Sequence, residues 1–189
     1  VYGLLLNGFA VMLLLSLVSF DARDIALDYQ VRGGHVHNLI GPVGAHIANM
    51  LLGVLGVGAV LLTCTFIYFG TLLMAGRRPT ISGGGLGAYL LLMTFGCVLV
   101  HVAFGGFRPF DHSPGGLVGE WVGEILRTLF ALTGTLIIAG SILGAAALRL
   151  SGLTLREAAR LPARAGRFVQ SRWERRPAGP GIFDRFTRP

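Results

Sequence analysis

Lysine is absent from this chain of 189 residues, and other ionisable residues are few. All 16 basic residues are arginines, 9 residues are acidic, and charged side chains make up only 13% of the sequence. Every motif that depends on lysine is therefore excluded, including the phosphate-binding loop that ends in Gly-Lys-Ser/Thr. The glycine-rich stretch 82–87 lacks that pattern. We expect no ATP binding, no cofactor and no catalytic residue in these 189 residues.

Metal-binding and disulfide chemistry have little support either. The two cysteines, Cys64 and Cys97, both fall in long apolar stretches, where a small and weakly polar side chain commonly packs between helices. We therefore predict neither a disulfide framework nor a metal site. His35 and His37 lack a third ligand at a recognisable spacing, so they are interpreted as loop residues. For His101, a role in helix packing or at the interface is preferred over a proton relay, because no predicted span centre carries a charged residue.

Apolar length is what the sequence has in abundance. Hydrophobic residues make up 53% of the chain and the mean hydropathy is +0.68, which is outside the range of ordinary soluble domains. A helix needs about 20 apolar residues to cross roughly 30 Å of hydrocarbon. We predict an all-α integral membrane protein with four transmembrane helices, at about residues 1–20, 54–75, 86–104 and 128–149.

Two of these spans follow segments with an amphipathic pattern, at residues 43–53 and 116–127. Each segment has apolar residues at helical spacing on one side and polar residues on the other. Placing Arg127 near the bilayer centre would cost about 2.5 to 3.5 kcal/mol. We therefore predict that both segments are periplasmic interfacial helices, with six residues at the membrane surface: His46, Asn49, Glu120, Trp121, Glu124 and Arg127.

The two segments also resemble each other at a fixed offset of 75 residues. Gly41 and Gly44 match Gly116 and Gly119, and Val43 and Leu51 match Val118 and Leu126. A repeated pattern at a fixed offset indicates a weak internal duplication.

Arginine placement predicts the orientation, because cytoplasmic flanks collect basic residues close to span ends. Twelve arginines, at 77, 78 and from 149 to 188, fall on one side of the predicted spans, and four fall on the other. We predict that both termini are cytoplasmic and that the two loops carrying interfacial helices are periplasmic.

Residues 151–189 are predicted to be a basic cytoplasmic juxtamembrane segment and the start of a linker. Aromatic residues there alternate with arginines, which is typical of a helix that rests on an anionic leaflet. We predict that five residues contact the inner leaflet: Arg164, Arg167, Phe168, Arg172 and Trp173. The same charge fits a simple positive-inside anchor, and no fold motif supports direct DNA binding.

Small residues recur at intervals that allow helices to approach closely. They are Gly84, Ala88 and Gly96 in the third predicted span and Gly140 and Gly144 in the fourth. Two interpretations stay open for these five residues, packing within the chain and self-association between copies.

The order of these features resembles one family of membrane domains. The runs that carry the resemblance are residues 37–45 (HNLIGPVGA), 115–119 (GGLVG) and 150–154 (LSGLT), together with the number of spans and the basic tail. Over residues 1 to about 155 the sequence is similar to the N-terminal four-span domain of the FtsK/SpoIIIE DNA translocases of bacteria.

The resemblance implies a membrane anchor in the bacterial inner membrane that targets an ATP-driven DNA motor to the division septum and contributes to divisome assembly. The implied partners are the lipid bilayer, divisome membrane proteins and other copies of the chain, joined as a hexamer through the motor. Two alternatives remain, a small transporter or channel subunit and a membrane assembly factor without a motor.

Overall fold

The computed structural model describes residues 1–25, 36–77, 79, 82–106 and 112–152. By backbone contacts the chain divides into two units, Val1–Leu150 and Ser151–Pro189. Almost all of the second unit lies outside the described residues, and the described helices belong almost entirely to the first.

Every regular element in the described part of the chain is helical. Helix α1 covers Tyr2–Val18, and a short 3₁₀ turn follows at Ala22–Ile25. The remaining α-helices are α2 (Gly41–Leu55), α3 (Gly58–Met74), α4 (Gly83–Phe104) and α5 (Gly116–Ser151). With the apolar composition, this arrangement confirms an all-α membrane protein.

Two helices, α4 and α5, are each long and apolar enough to cross a membrane. Helices α2 and α3 pass the same test only as a pair, and they are bent by 113° at their junction. Helix α1 is apolar but has only 17 residues. Length and composition alone therefore support two or three crossings.

Helix α5 has 36 residues and is interrupted at Ala131, whose φ of 54° and ψ of −178° are not helical. An unbroken helix of that length would extend about 54 Å, far more than the apolar core of a bilayer. The part after the break, residues 132–151, is about 30 Å long and matches that core. The fourth predicted span began at residue 128, and the break lies three residues later.

The break at Ala131 has a counterpart 75 residues earlier, at Gly56. Ala131 has a φ of 54° and interrupts a helix that begins at Gly116, where φ is 63°. Gly56 has a φ of 56° and ends a helix that begins at Gly41, where φ is 77°. The offset between these pairs is the one found in the sequence. The duplication therefore extends to the backbone, since both copies contain a helix of about four turns, a left-handed residue and a second helix.

Helices α1 and α3 share the most extensive contact among the described helix pairs. Near the start of α1, a Cβ added to Gly3 would lie 2.7 Å from the backbone nitrogen of Met74, at the end of α3. Asn7 lies against Gly70, and its amide donates a hydrogen bond to the Met74 sulfur at 3.1 Å. The two helices are therefore antiparallel and close.

At the other end of the α1–α3 pair, apolar side chains from three helices form a buried cluster. Leu17 of α1 and Phe20, two residues beyond its end, pack with Ala48 and Leu52 of α2 and with Ala59 at the start of α3. Large apolar side chains elsewhere on α1 point outward, among them Leu4, Leu5, Phe9 and Met12. An outer surface of this kind suits contact with lipid tails.

Candidate functional site

The two copies of the duplicated unit contact each other where Gly56, just after α2, meets Gly116, the first residue of α5. The backbone N–H of Val57 donates to the Pro114 carbonyl at 2.9 Å. A Cβ added to Gly56 would lie 2.5 Å from the nitrogen of Gly116 and would also collide with the Pro114 carbonyl. Because both glycines also have a positive φ, side chains are excluded there by space and by backbone conformation.

Cys97 of α4 lies at the centre of this contact. Gly115 and Gly119, beside and within the first turn of α5, pack directly on its carbonyl oxygen. Its thiol donates to the Leu55 carbonyl at 3.2 Å, and a Cβ added to Gly58 would lie 2.8 Å from its sulfur. The backbones of α4 and α5 can approach this closely because α5 presents glycines, which is how small residues act in membrane helices.

Two histidines extend the junction outward. The Nδ1 atom of His101 and the Oγ of Ser113 are 2.9 Å apart, and the His101 Nε2 atom is 3.5 Å from a carboxylate oxygen of Glu124. Glu124 also accepts a hydrogen bond from Arg127 at 2.8 Å. These contacts join the end of α4 to the start of α5 through a chain of polar side chains.

His112 makes the corresponding link to the first copy. Its Nε2 atom is 2.9 Å from the Asn49 side-chain oxygen, and its ring centroid lies 6.0 Å from that of Phe20. Because the amide oxygen is an acceptor, Nε2 carries the proton in this geometry. His112 is thereby held against α2 and against the segment that follows α1.

A second polar cluster closes the end of α1 around Asp24, which is fully buried. Its carboxylate accepts hydrogen bonds from the backbone N–H groups of His37 and Asn38 at 2.8 to 3.0 Å, and the His37 ring lies 3.3 Å away. Burial raises the pKa of Asp24, but the hydrogen bonds from His37 and Asn38 outweigh it and hold that pKa below the ordinary value. Asp24 is therefore a carboxylate at neutral pH.

Asn38 connects the Asp24 cluster to the helices. Its side-chain nitrogen donates to the Ser16 carbonyl at 2.8 Å, and its oxygen accepts from the Ile40 N–H at 3.0 Å. Ser16 in turn donates to the Gly44 carbonyl. A buried network in which each polar group has a partner fixes one geometry for the turn before α2.

The structure places the six predicted surface residues in two groups. Asn49, Glu124 and Arg127 belong to the polar links around the histidines. The other three residues make none of these links and are exposed: His46, Glu120 and Trp121. The His46 ring contacts the Pro42 carbonyl at 2.8 Å.

The five small residues predicted to pack also separate into two groups. Ala88 is buried, and a Cβ added to Gly84 or Gly96 would contact Arg149 or Leu143 of α5, at 3.1 and 3.8 Å. A Cβ added to Gly140 or Gly144 would meet no described atom within 4 Å. The predicted inner-leaflet residues lie outside the described part: Arg164, Arg167, Phe168, Arg172 and Trp173.

Sequence reasoning missed four residues that make hydrogen bonds between elements in this region, namely Asp24, Asn38, His112 and Ser113. They fall in the turns and connections between the α-helices, where no periodic pattern assigns a side chain to a buried position. One available signal was the series Gly116, Gly119 and Gly123, which places a glycine on one face of the helix at each turn.

The fold and the apolar surface define the class, a multi-pass α-helical membrane protein in which polar side chains brace one end of the helices. Comparison with family models then identifies the group. The model described as the 4TM region of DNA translocase FtsK/SpoIIIE matches residues 1–161, and the chain belongs to this family. No curated protein and no solved structure matches the chain.

Proposed function

We propose that this chain is the membrane anchor of a DNA translocase that acts in bacterial cell division and chromosome segregation, and that it targets the motor to the septum and contributes to divisome assembly. The observation that carries the proposal is the family match over residues 1–161. That region is a membrane domain and not a motor domain. A scaffold of braced helices is consistent with tethering.

The anchor crosses the inner membrane four times, with both termini in the cytoplasm. Helix contacts support this topology. Gly3 meets Met74 and Gly84 meets Arg149 at one end of the bundle. At the other end, the α4 residues Cys97 and His101 meet Leu55 and the start of α5. These contacts make α1, α3, α4 and the second part of α5 alternate in direction, as four successive crossings require.

Helix α2 and the first part of α5 lie at the periplasmic surface in this proposal. The 113° bend between α2 and α3 supports it, because a sharp turn at Gly56 lets α3 cross the bilayer while α2 lies along the surface. The exposed Trp121 and the Glu124–Arg127 ion pair suit a headgroup environment.

The proposal is tested by a fusion of residues 1–189 to a fluorescent protein in dividing bacteria. We expect the fusion to collect at midcell, whereas a four-span protein of unrelated sequence, expressed at the same level, stays uniform around the cell. A uniform distribution of the folded fusion would remove support for septal targeting.

Assays of the purified chain distinguish the membrane-anchor function from a channel or transporter function. The purified chain in liposomes should show neither ATP hydrolysis nor ion flux above that of protein-free liposomes. Reproducible ion flux that is lost on unfolding would favour the channel alternative.

A further inference from the structure

Two hollows meet at Arg149, at the end of the bundle where α3 ends and α4 begins. The first is a cavity of ≈ 400 Å³ between α3, α4 and the end of α5, with Phe66, Phe69 and Tyr89 in its wall. The second is a groove of ≈ 500 Å³ between α4 and α5, lined by small residues such as Ala88 and Ala145. Arg149 lines both, so a single charged side chain borders two largely apolar spaces.

The position of that guanidinium is electrostatically unusual. A Cβ added to Gly84 would lie 3.1 Å from an Arg149 side-chain nitrogen, so the cation lies across the first turn of α4. A helix N-terminus carries partial positive charge, and a cation is disfavoured there. Among the described residues, no carboxylate forms an ion pair with Arg149.

The first turn of α4 adds hydrogen-bond donors of its own. The Ser82 hydroxyl accepts from the Gly85 N–H at 3.1 Å. The earlier N–H groups, at Gly83 and Gly84, have no partner within a helix by its geometry. Neither residue has a side chain of its own that would shield these groups, since both are glycine. An anion at this turn would therefore contact donors and a guanidinium together.

The two copies differ at the position of this cation. The residue 75 positions before Arg149 is Met74, which packs on Gly3 and accepts a hydrogen bond from Asn7. At this position the first copy therefore has an uncharged side chain in a helix–helix contact, whereas the second copy has a cation that lines two cavities.

We propose that this site binds one anionic phospholipid. The phosphate contacts Arg149 and the free N–H groups of α4, one acyl chain enters the cavity beside Phe66 and Phe69, and the other lies along the groove at Ala88 and Ala145. Guanidinium binds phosphate through paired hydrogen bonds, and basic pockets between membrane helices bind anionic headgroups. The site requires only insertion in a membrane; its location in the cytoplasmic leaflet rests on the topology proposed above.

Native mass spectrometry of the purified chain, titrated with phosphatidylglycerol or with phosphatidylcholine, tests the site. We expect the chain to retain one phosphatidylglycerol in preference to phosphatidylcholine. Arg149→Gln should weaken that binding about tenfold, equal to about 1.4 kcal/mol. Arg77→Gln is the matched control, because Arg77 is also exposed at the end of a helix but lines neither hollow, and it should bind as the unmodified chain does.

A second pair of variants tests the acyl-chain part without changing charge. Ala145→Phe fills the groove and should weaken lipid binding, whereas Ala147→Phe, exposed on the same helix and outside both hollows, should not. Equal losses in Arg149→Gln and Arg77→Gln would overturn the site, as would equal retention of the two lipids. Displacement of the bound lipid by excess inorganic phosphate would assign the site to a free anion instead.

Discussion

At the scale of single residues, charge is placed where backbone donors can stabilise it. Asp24 has no exposed surface, yet its carboxylate stays ionised because two backbone N–H groups and the His37 ring face it. An isolated charge in such a position would cost several kcal/mol (about 3 to 5 when a partner is removed). The hydrogen bonds of the turn before α2 therefore depend on this side chain.

Replacing Asp24 by asparagine should destabilise the protein at neutral pH. Hydrogen bonds to a charged group contribute about 1.5 to 3 kcal/mol, and the amide replaces one acceptor oxygen with a donor that faces other donors. Because the folded pKa of Asp24 lies below 3.8, its contribution is complete above 3.8 and is lost as the pH falls through the lower folded value. The penalty of Asp24→Asn should therefore shrink under strongly acidic conditions.

Chemical unfolding in detergent micelles, followed across that pH range, measures the effect. Asp21→Asn is the control: Asp21 accepts one exposed hydrogen bond from the Arg23 N–H at 2.9 Å, and its loss should cost about 0.5 kcal/mol or less. A penalty for Asp24→Asn that stayed constant with pH would contradict the ionised assignment.

At the scale of elements, the chain changes direction at two matching helix breaks, one at a glycine, Gly56, and one at an alanine, Ala131. Gly56 adopts its φ of 56° without strain, but Ala131 holds a φ of 54° that disfavours a Cβ. Strained residues of this type cost of order 1–3 kcal/mol and persist only when surrounding contacts require them. The contacts of Gly119 and Gly123 with α4 fix the first part of α5, and the length of the second part is matched to a bilayer.

Glycine at position 131 should relieve this strain. We expect Ala131→Gly to stabilise the protein by about 1 kcal/mol. Ala147→Gly, at an exposed and regular position of the same helix, should instead destabilise it by about 1 kcal/mol. Thermal unfolding of both variants in the same detergent provides the comparison, and destabilisation by both to the same extent would contradict a non-helical backbone at residue 131.

At the scale of the whole molecule, the order of helix contacts and the arginine distribution indicate the same topology. Neighbouring helices alternate in direction, and the end where α3 and α5 finish carries Arg77 and Arg149. The proposed topology puts this end in the cytoplasm, as the positive-inside rule predicts for an end that collects arginines.

Reporter fusions test the four crossings directly. Fusions after Arg78 and Arg176 should show cytoplasmic activity, because they follow the second and fourth spans. Fusions after Gly33 and His112 should show periplasmic activity. Every fusion is compared at equal expression, and an exported reporter at Arg78 would exclude the four-span arrangement.

Self-association is a separate property of the whole molecule. Gly140 and Gly144 meet no described neighbour within 4 Å, so leucines there should leave the fold intact but hold another helix away. We expect the double variant Gly140→Leu and Gly144→Leu to self-associate at least about tenfold more weakly, as measured by energy transfer between labelled copies in liposomes, for a loss of about 1.4 kcal/mol.

Gly96→Leu is the contrasting variant, because its side chain would meet Leu143 of the same chain. It should lower the unfolding temperature, whereas the double variant should not. Unchanged energy transfer in the folded double variant would leave these glycines facing only lipid.

The class, the apolar segments and the duplicated pattern were all predictable from the sequence, because burial in lipid requires long apolar runs and periodic faces that can be read locally. A change from interfacial helix to span was predicted near residue 128, but its exact position at Ala131 was not, since alanine favours a helix and nothing local marks that residue. The roles of Asp24, Asn38, His112 and Ser113 were also missed. Their partners are 12 to 63 residues away in the chain or are backbone groups of another element. These groups come within hydrogen-bond distance only in the folded chain, because the glycine junctions at Gly56 and Gly116 set how closely the two copies approach.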